Sequence, residues 1–216
     1  MQIAALIFDK ITALDIMGPM EVLSWLPDAE IAWVGTSKGP VRGALTNIGL
    51  SVDHTLDEVP EPDILVLPGG PGVRPVVGDP AVVDWVRAVH EHTTWTTSVC
   101  TGSLLLGAAG LLKGLDATTH WGAKDALESF GATYVEKRVV PQGKIVTSAG
   151  VSSGIDMALW LSGQIVDDEF ASAAQLCIEY DPQPPYDAGA PSKASAAVQA
   201  RARAVIDAAM AKELAA

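Results

Sequence analysis

The stretch Ile64-Leu65-Val66-Leu67 constrains the fold of this chain more than any other, because it is apolar at every position. A strand with one face in water alternates apolar and polar residues, whereas a strand covered on both faces is apolar throughout, as in a parallel sheet. Strand-like and helix-like segments also alternate along the chain. The sequence therefore predicts an α/β fold, with an open, doubly wound, mostly parallel sheet and helices on both faces.

The predicted elements follow from apolar spacing and from glycine and proline positions. We place the start of the first helix at Pro19, with Gly18 as its cap, so that Asp15 stays in the preceding loop. Glycines between residues 35 and 49 indicate a small hairpin. The predicted strands cover residues 3–8, 31–34, 64–67, 96–99 and 144–147, and the predicted helices cover residues 20–26, 80–90, 101–109, 155–165, 169–179 and 196–214.

A chain of 216 residues with 49% hydrophobic residues can bury the core of one domain, which we place at residues 1–216. Residues 181–195 are rich in proline and glycine and too long for an ordinary connector. They fit a lid, an arm on a partner subunit, or a frayed tail. We expect this segment and the helix after it to pack on the domain or on a partner subunit.

Charge and cysteine content narrow the possible partners. The chain has 14 Lys and Arg against 26 Asp and Glu, a net charge of −12, which disfavours nucleic acids and anionic membranes. The apolar stretch at the N-terminus is too short for a signal peptide or a membrane span. Only Cys100 and Cys177 are present, so we expect no disulfide framework and a cytoplasmic location.

Cys100 is the strongest candidate for chemistry, because it lies between a predicted strand and a predicted helix. Unpaired N–H groups at a helix start, together with the helix dipole, favour a thiolate over a thiol. We therefore expect a lowered pKa and a nucleophilic sulfur. Cys177 lies in an apolar helix without such neighbours, and we expect it to be part of the core.

Two further loops should meet Cys100, because groups that follow parallel strands converge at one edge of the sheet. The loop after the first strand carries Asp15 between apolar residues, where burial and a nearby thiolate should raise its pKa and let it donate a proton. A helix cap or a solvated acid is the alternative role for Asp15. Residues 68–72 contain three glycines that fit either a tight turn or an amide-lined pocket that includes Gly70.

Several other sites are disfavoured by spacing. His90 and His92 face different sides of a helix, and there is no HExxH or CxxC pair, so we predict no metal. No P-loop or complete GxGxxG is present. Residues 150–154 match a serine nucleophile elbow, but no histidine follows His120. His120 itself could reach Cys100 or be structural.

Four motifs together carry a resemblance: Leu14-Asp15 with Gly18-Pro19, Leu67-Pro68-Gly69-Gly70, Val99-Cys100-Thr101-Gly102, and Thr118-Thr119-His120-Trp121. With these motifs the chain resembles the DJ-1/PfpI superfamily over nearly its whole length, and within it the isocyanide (isonitrile) hydratases. The resemblance implies a flavodoxin-like subunit, a homodimer, and no cofactor. It also implies that Cys100 is the nucleophile, Asp15 the acid, and Thr101 the residue beside the nucleophile.

The resemblance implies a lyase that hydrates a small-molecule isocyanide to an N-substituted formamide through a covalent thioimidate. Backbone N–H groups of Gly70 and Thr101 are candidates to stabilise charge. Protease-like and several glyoxalase-like members carry histidine after the cysteine, where this chain has Thr101. Glyoxalase or deglycase chemistry, and a ligand- or redox-sensing domain without catalysis, are the alternatives. Regulators with a similar domain continue into a helix-turn-helix, whereas this sequence ends at Ala216 and is acidic.

Overall fold

A seven-stranded sheet forms the centre of the molecule. The structure is a computed structural model that describes the backbone of residues 1–215 and the side chains of residues 1–212; Ala216, the last residue of the predicted domain, lies outside it. The strands are β1 (Gln2–Leu6), β2 (Glu30–Gly35), β3 (Gly39–Arg42), β4 (Gly49–Val52), β5 (His54–Thr55), β6 (Ile64–Leu67), β7 (Trp95–Val99), β8 (Asp116–Ala117), β9 (Thr133–Tyr134), β10 (Val139–Gln142) and β11 (Ile145–Ser148).

The order of strands in the main sheet is β10-β11-β7-β6-β1-β2-β5, and every neighbouring pair is parallel except β10 with β11. Strand β6 lies between β1 and β7, and all four of its side chains are buried. Burial on both faces explains why this strand is apolar throughout. The predicted doubly wound α/β fold is confirmed.

Helices cover both faces of the sheet, with α1 packed on α6 and α6 on α7, and with α2, α3 and α4 packed together. The helices are α1 (Ala13–Leu23), α2 (Val73–Val77), α3 (Pro80–His92), α4 (Ser103–Ala108), α5 (Lys124–Glu128), α6 (Ser153–Ile165), α7 (Asp168–Cys177) and α8 (Ala196–Ala215). Within the described residues, none of these helices is both long and apolar enough to cross a membrane.

The predicted start of the first helix is wrong. Helix α1 begins at Ala13, with Thr12 as its cap and Pro19 inside it. Proline costs least at the first position of a helix, which is why the sequence favoured a start at Pro19. In the structure, tight packing of α1 on α6 holds the helix through the proline. Asp15 consequently lies in the first helical turn instead of in a loop.

Several short elements were not predicted, whereas the hairpin was. Strands β3 and β4 form the expected antiparallel hairpin. Strand β10 contains Pro141 and pairs only with β11 at the edge of the sheet, the position where proline is tolerated in strands. Strands β8 and β9 have two residues each, too few to show any periodicity.

Residues 181–195 contain no helix or strand and return to the body of the same subunit. The backbone N–H of Ser192 donates to Glu136 Oε1 over 3.0 Å. The Arg203 guanidinium on α8 lies 4.6 Å from the centre of the Trp121 ring. These contacts favour a lid over a frayed tail.

The order of the strands brings the loops that carry the candidate site residues to the carboxyl edge of the sheet. Strand β1 has β2 on one side and β6 on the other, so successive strands are added on one side of β1 up to β5 and on the opposite side from β6 onward. In open parallel sheets such a switch point forms the ligand crevice, at the carboxyl ends of the strands. The segments after β1, β6 and β7 carry Asp15, Gly70 and Cys100, respectively, to this edge.

Candidate active site

Cys100 occupies a sharp turn between β7 and α4. Its φ is +57°, a left-handed conformation that is uncommon for a residue with a side chain, and residues Cys100–Gly102 form a single 3-10 turn. Its N–H donates to Ala149 O over 2.9 Å, and its carbonyl accepts from the hydroxyls of Ser103 and Thr119 over 3.2 and 3.0 Å. The backbone of the predicted nucleophile is therefore held from three sides.

The sulfur environment differs from the sequence-based expectation. Backbone N–H groups of Val151 and Thr101 interact with the sulfur and lower its pKa, as a helix start should. Burial of the thiol and the charge of Asp15 outweigh them, so the pKa of Cys100 is raised. Only 5% of the residue is exposed. The predicted lowering is therefore wrong, because burial removes the water that would solvate a thiolate.

Asp15 lies directly beside this thiol and is completely buried. Gly69 N–H donates to its Oδ2 over 2.9 Å, whereas Oδ1 has no hydrogen-bond partner among the described residues. Burial raises the pKa of Asp15 to about 8, although the Gly69 and Cys100 contacts act in the opposite direction. At neutral pH the carboxyl is therefore mostly protonated, as the sequence predicted, and Oδ1 can exchange a proton.

Thr101 and Gly70 form a linked pair beside Cys100. Gly70 N–H donates to Thr101 Oγ1 over 3.0 Å. This N–H, predicted to face substrate, is thus already used, and it acts on a ligand only through the threonine hydroxyl. Since that oxygen accepts from Gly70, its own hydrogen can be donated to water or substrate. Gly69 must be glycine, because a Cβ there would lie 2.3 Å from Thr101 Oγ1.

Val151 is the site residue that sequence reasoning missed. Its φ is +28°, an unusual conformation for a β-branched residue, and its N–H reaches the Cys100 sulfur. The signal was present in Gly150-Val151-Ser152-Ser153-Gly154, which follows a strand and opens a helix. This pattern matches a serine nucleophile elbow, but the structure shows a different role for it. A second tight strand-to-helix turn beside the first supplies an N–H donor instead.

A cavity of about 370 Å³ lies next to the Cys100 turn. Thr119, Ala149 and Val151 line it, and each of them also contacts the cysteine backbone or sulfur. His120, Trp121 and residues 189–192 line it as well, whereas Cys100 and Asp15 do not. Its volume suits a small organic molecule.

The structure also shows the surroundings of His120 and Cys177. His120 Nδ1 accepts the Gly122 N–H over 3.2 Å, and burial lowers the pKa of the imidazole. This contact fits the structural role, while the ring still borders the cavity. Cys177 is exposed near the end of α7, so its predicted place in the core is wrong. In residues 1–212, no three His, Cys, Asp or Glu side chains cluster closely enough to bind a metal ion.

Comparison with known proteins identifies the relatives of this arrangement. Residues 1–164 match the model of the DJ-1/PfpI family. The chain is 42% identical over 203 residues to an isonitrile hydratase from Pseudomonas putida, which covers 94% of this chain and 89% of the relative. It is 31% identical over 121 residues to a deglycase from Pyrococcus furiosus, which covers 55% of this chain and 72% of that protein.

A solved structure shows the same fold over almost the full length. It is that of a ThiJ/PfpI family protein from Pseudomonas syringae, with a TM-score of 0.91 and 36% identity. The match covers 98% of this chain and 88% of that chain. Both Pseudomonas proteins therefore align with residues beyond 164, where the family model ends.

Proposed function

The chain belongs to the DJ-1/PfpI family, and we propose that it is an isonitrile hydratase within that family. Such an enzyme adds water to an isocyanide, R–N≡C, and releases the formamide R–NH–CHO. The observation that carries the proposal is the protonated, buried Asp15 beside the Cys100 sulfur, in a chain 42% identical to a curated isonitrile hydratase. This pair supplies the nucleophile and the proton that hydration of a terminal carbon needs.

Before the first step the Cys100 thiol releases its proton to water, and the resulting thiolate then attacks the terminal carbon of the isocyanide. The same carbon receives a proton from Asp15, which becomes a carboxylate, and the product is the thioimidate Cys–S–CH=N–R. The N–H groups of Val151 and Thr101 stabilise the thiolate before attack. The low polarity that raises the pKa of Cys100 also makes the thiolate a stronger nucleophile once it forms.

In the second step Asp15 acts as a base. It takes a proton from water as the oxygen adds to the thioimidate carbon, and it passes this proton to the nitrogen. The C–S bond then breaks, the hydroxyl proton returns to Asp15, and the thiolate leaves. Thr101 Oγ–H orients the water, and Gly70 N–H fixes the position of that hydroxyl. Atoms and charge balance without a cofactor.

The test is a stopped assay of formamide formation from phenyl isocyanide. We expect formamide from the wild type and from Cys177→Ala, and none from Cys100→Ala. Cys177 is a matched control because it is the other free cysteine of the chain. Formamide formed equally by Cys100→Ala would disprove the mechanism. If the wild type formed none, while methylglyoxal gave lactate, the enzyme would instead be a glyoxalase.

We also propose that the enzyme is a cytoplasmic homodimer. Apolar side chains on and after α1 are unusually exposed, at 45% for Leu14 and 51% for Trp25, and Met17 lies beside them in the same groove. Contiguous apolar surface of this kind marks protein contacts. A second copy of the chain is the partner that the family resemblance implies. Light scattering should give twice the mass of one chain, and Trp25→Glu should give the mass of one chain.

A further inference from the structure

Residues 189–192, here called the strap, line the cavity next to the Cys100 turn. The strap comes from the proline- and glycine-rich segment, far along the chain from every proposed catalytic group. Three residues that contact Cys100, namely Thr119, Ala149 and Val151, line the same cavity.

Two hydrogen bonds hold the last two residues of the strap. Ser192 N–H donates to Glu136 Oε1 over 3.0 Å, and the Gln199 side chain donates to Pro191 O over 2.9 Å. Gln199 belongs to α8, whose Arg203 guanidinium lies over the Trp121 ring. The Glu136 contact is exposed, so a single substitution at Glu136 can loosen the strap.

Charged side chains also border the cavity. Glu136 accepts from Ser192 N–H, and Arg138 Nε donates to Asp156 Oδ2 over 2.5 Å. Lys137, Trp121 and Pro191 line the cavity as well, so both charged and apolar groups form its wall.

The strap also lies outside the part of the chain that the wider family shares. The family model ends at residue 164, whereas the isonitrile hydratase relative covers 94% of this chain and the Pseudomonas syringae structure 98%. Cys100 and Asp15 lie within the residues that match the family model, whereas the strap lies beyond them. One segment of the chain would therefore determine the reaction and another the size of the substrate.

We propose that the strap sets the size of the largest R group that the site accepts, because it lines the same cavity as three residues that contact Cys100. This inference rests on the proposed function. Ala190 and Glu136 are specificity residues in this account: Ala190 limits the space, and Glu136 holds the strap closed. Neither touches the reacting atoms.

The first experiment fills the space. Ala190→Phe should lower kcat/KM for 2-naphthyl isocyanide about tenfold or more, the size of effect that steric exclusion gives in apolar pockets, with methyl isocyanide unchanged. Ala188→Phe is the matched control, since Ala188 is exposed and lies outside this cavity. An equal loss for both substrates, or no loss for either, would overturn the proposal.

The second experiment opens the strap. Glu136→Ala should raise the ratio of kcat/KM for naphthyl over methyl isocyanide about tenfold, and Glu136→Gln, which keeps an acceptor for Ser192, should restore the wild-type ratio. If Glu136→Ala left the ratio unchanged, the strap would not determine size.

A third readout does not depend on hydratase activity. In a Cys177→Ser background, Cys100 is the only thiol, and its alkylation by N-methylmaleimide and N-phenylmaleimide can be timed by mass spectrometry. Ala190→Phe should slow the phenyl reagent selectively. If this selectivity appears while no isocyanide is hydrated, the proposed function fails and the role of the strap remains. If isocyanides are hydrated without any size selectivity, the strap proposal fails alone.

Discussion

The two cysteines of this chain lie in contrasting regions of the molecule. Cys100 is 5% exposed at the carboxyl edge of the sheet, with left-handed backbone and a carboxyl group beside it. Cys177 is exposed near the end of a surface helix. The thiol that we propose as the nucleophile is therefore the less accessible one, and an acid from α1 and the N–H groups of Val151 and Thr101 surround its sulfur.

The largest effect is expected from removing the acid beside Cys100. Asp15→Asn keeps the shape of the side chain but cannot deliver a proton, so turnover should fall about 10²- to 10⁴-fold. At pH 9, where Asp15 is ionised in the wild type, removing its charge should lower the pKa of Cys100. Alkylation of Cys100 in a Cys177→Ser background should therefore become faster while hydration becomes slower.

Faster alkylation together with slower hydration would distinguish a proton donor at Asp15 from a residue that only holds the site together. If turnover and alkylation both fell in Asp15→Asn, the residue would only hold the fold of the site. Asp15→Glu, which retains the acid at a different reach, is the control for the carboxyl group itself.

The burial of Asp15 should also make the free energy of unfolding depend on pH. Its pKa rises from 3.8 in the unfolded reference to about 8 in the folded protein. Between about pH 4 and 8 the folded state keeps a proton that the unfolded state has lost, so stability decreases as pH rises through this window. Relative to Asp15→Asn, the wild type should lose about 5 kcal/mol of unfolding free energy across it, at about 1.4 kcal/mol for each unit of pKa difference. Urea unfolding at a series of pH values measures this difference, and a constant difference would contradict the raised pKa.

A smaller effect is expected next to the nucleophile. Thr101→Val removes the hydroxyl that accepts from Gly70 N–H, so turnover should fall about tenfold, the equivalent of one hydrogen bond. Thr101→Ser keeps the hydroxyl and should recover most of the rate. Steady-state kinetics of the wild type and the two variants measure these rates. Equal kcat values for Thr101→Val and Thr101→Ser would show that the hydroxyl has no role in turnover.

The smallest effect belongs to the other cysteine. Cys177→Ser changes an exposed surface position, so turnover should change less than about twofold and unfolding free energy by less than about 0.5 kcal/mol. Thermal unfolding and the formamide assay provide the measurements. A large loss of either would show that the Cys177 side chain itself contributes to folding or turnover despite its exposure.

The fold could be predicted from the sequence because a strand that is buried on both faces consists of apolar residues throughout. Strand β6 was predicted with its observed bounds, Ile64–Leu67, and β7 within one residue. Helix α1 and Cys177 were wrong, since proline placement and apolar spacing are local signals, whereas packing against α6 and exposure at a surface are not. Strand β5 and the β8–β9 pair were missed because two residues show no period.

By itself, the sequence determined the parallel sheet, the position of Cys100 at a strand-to-helix turn, and the convergence of Asp15 with it. Only the tertiary structure decided the direction of the Cys100 pKa shift, the use of Gly70 N–H by Thr101, and the N–H that Val151 supplies. The strap was also beyond sequence reasoning. The physical reason is that periodicity reports which residues are buried, whereas pKa and hydrogen bonding depend on which groups from distant segments share the same small volume.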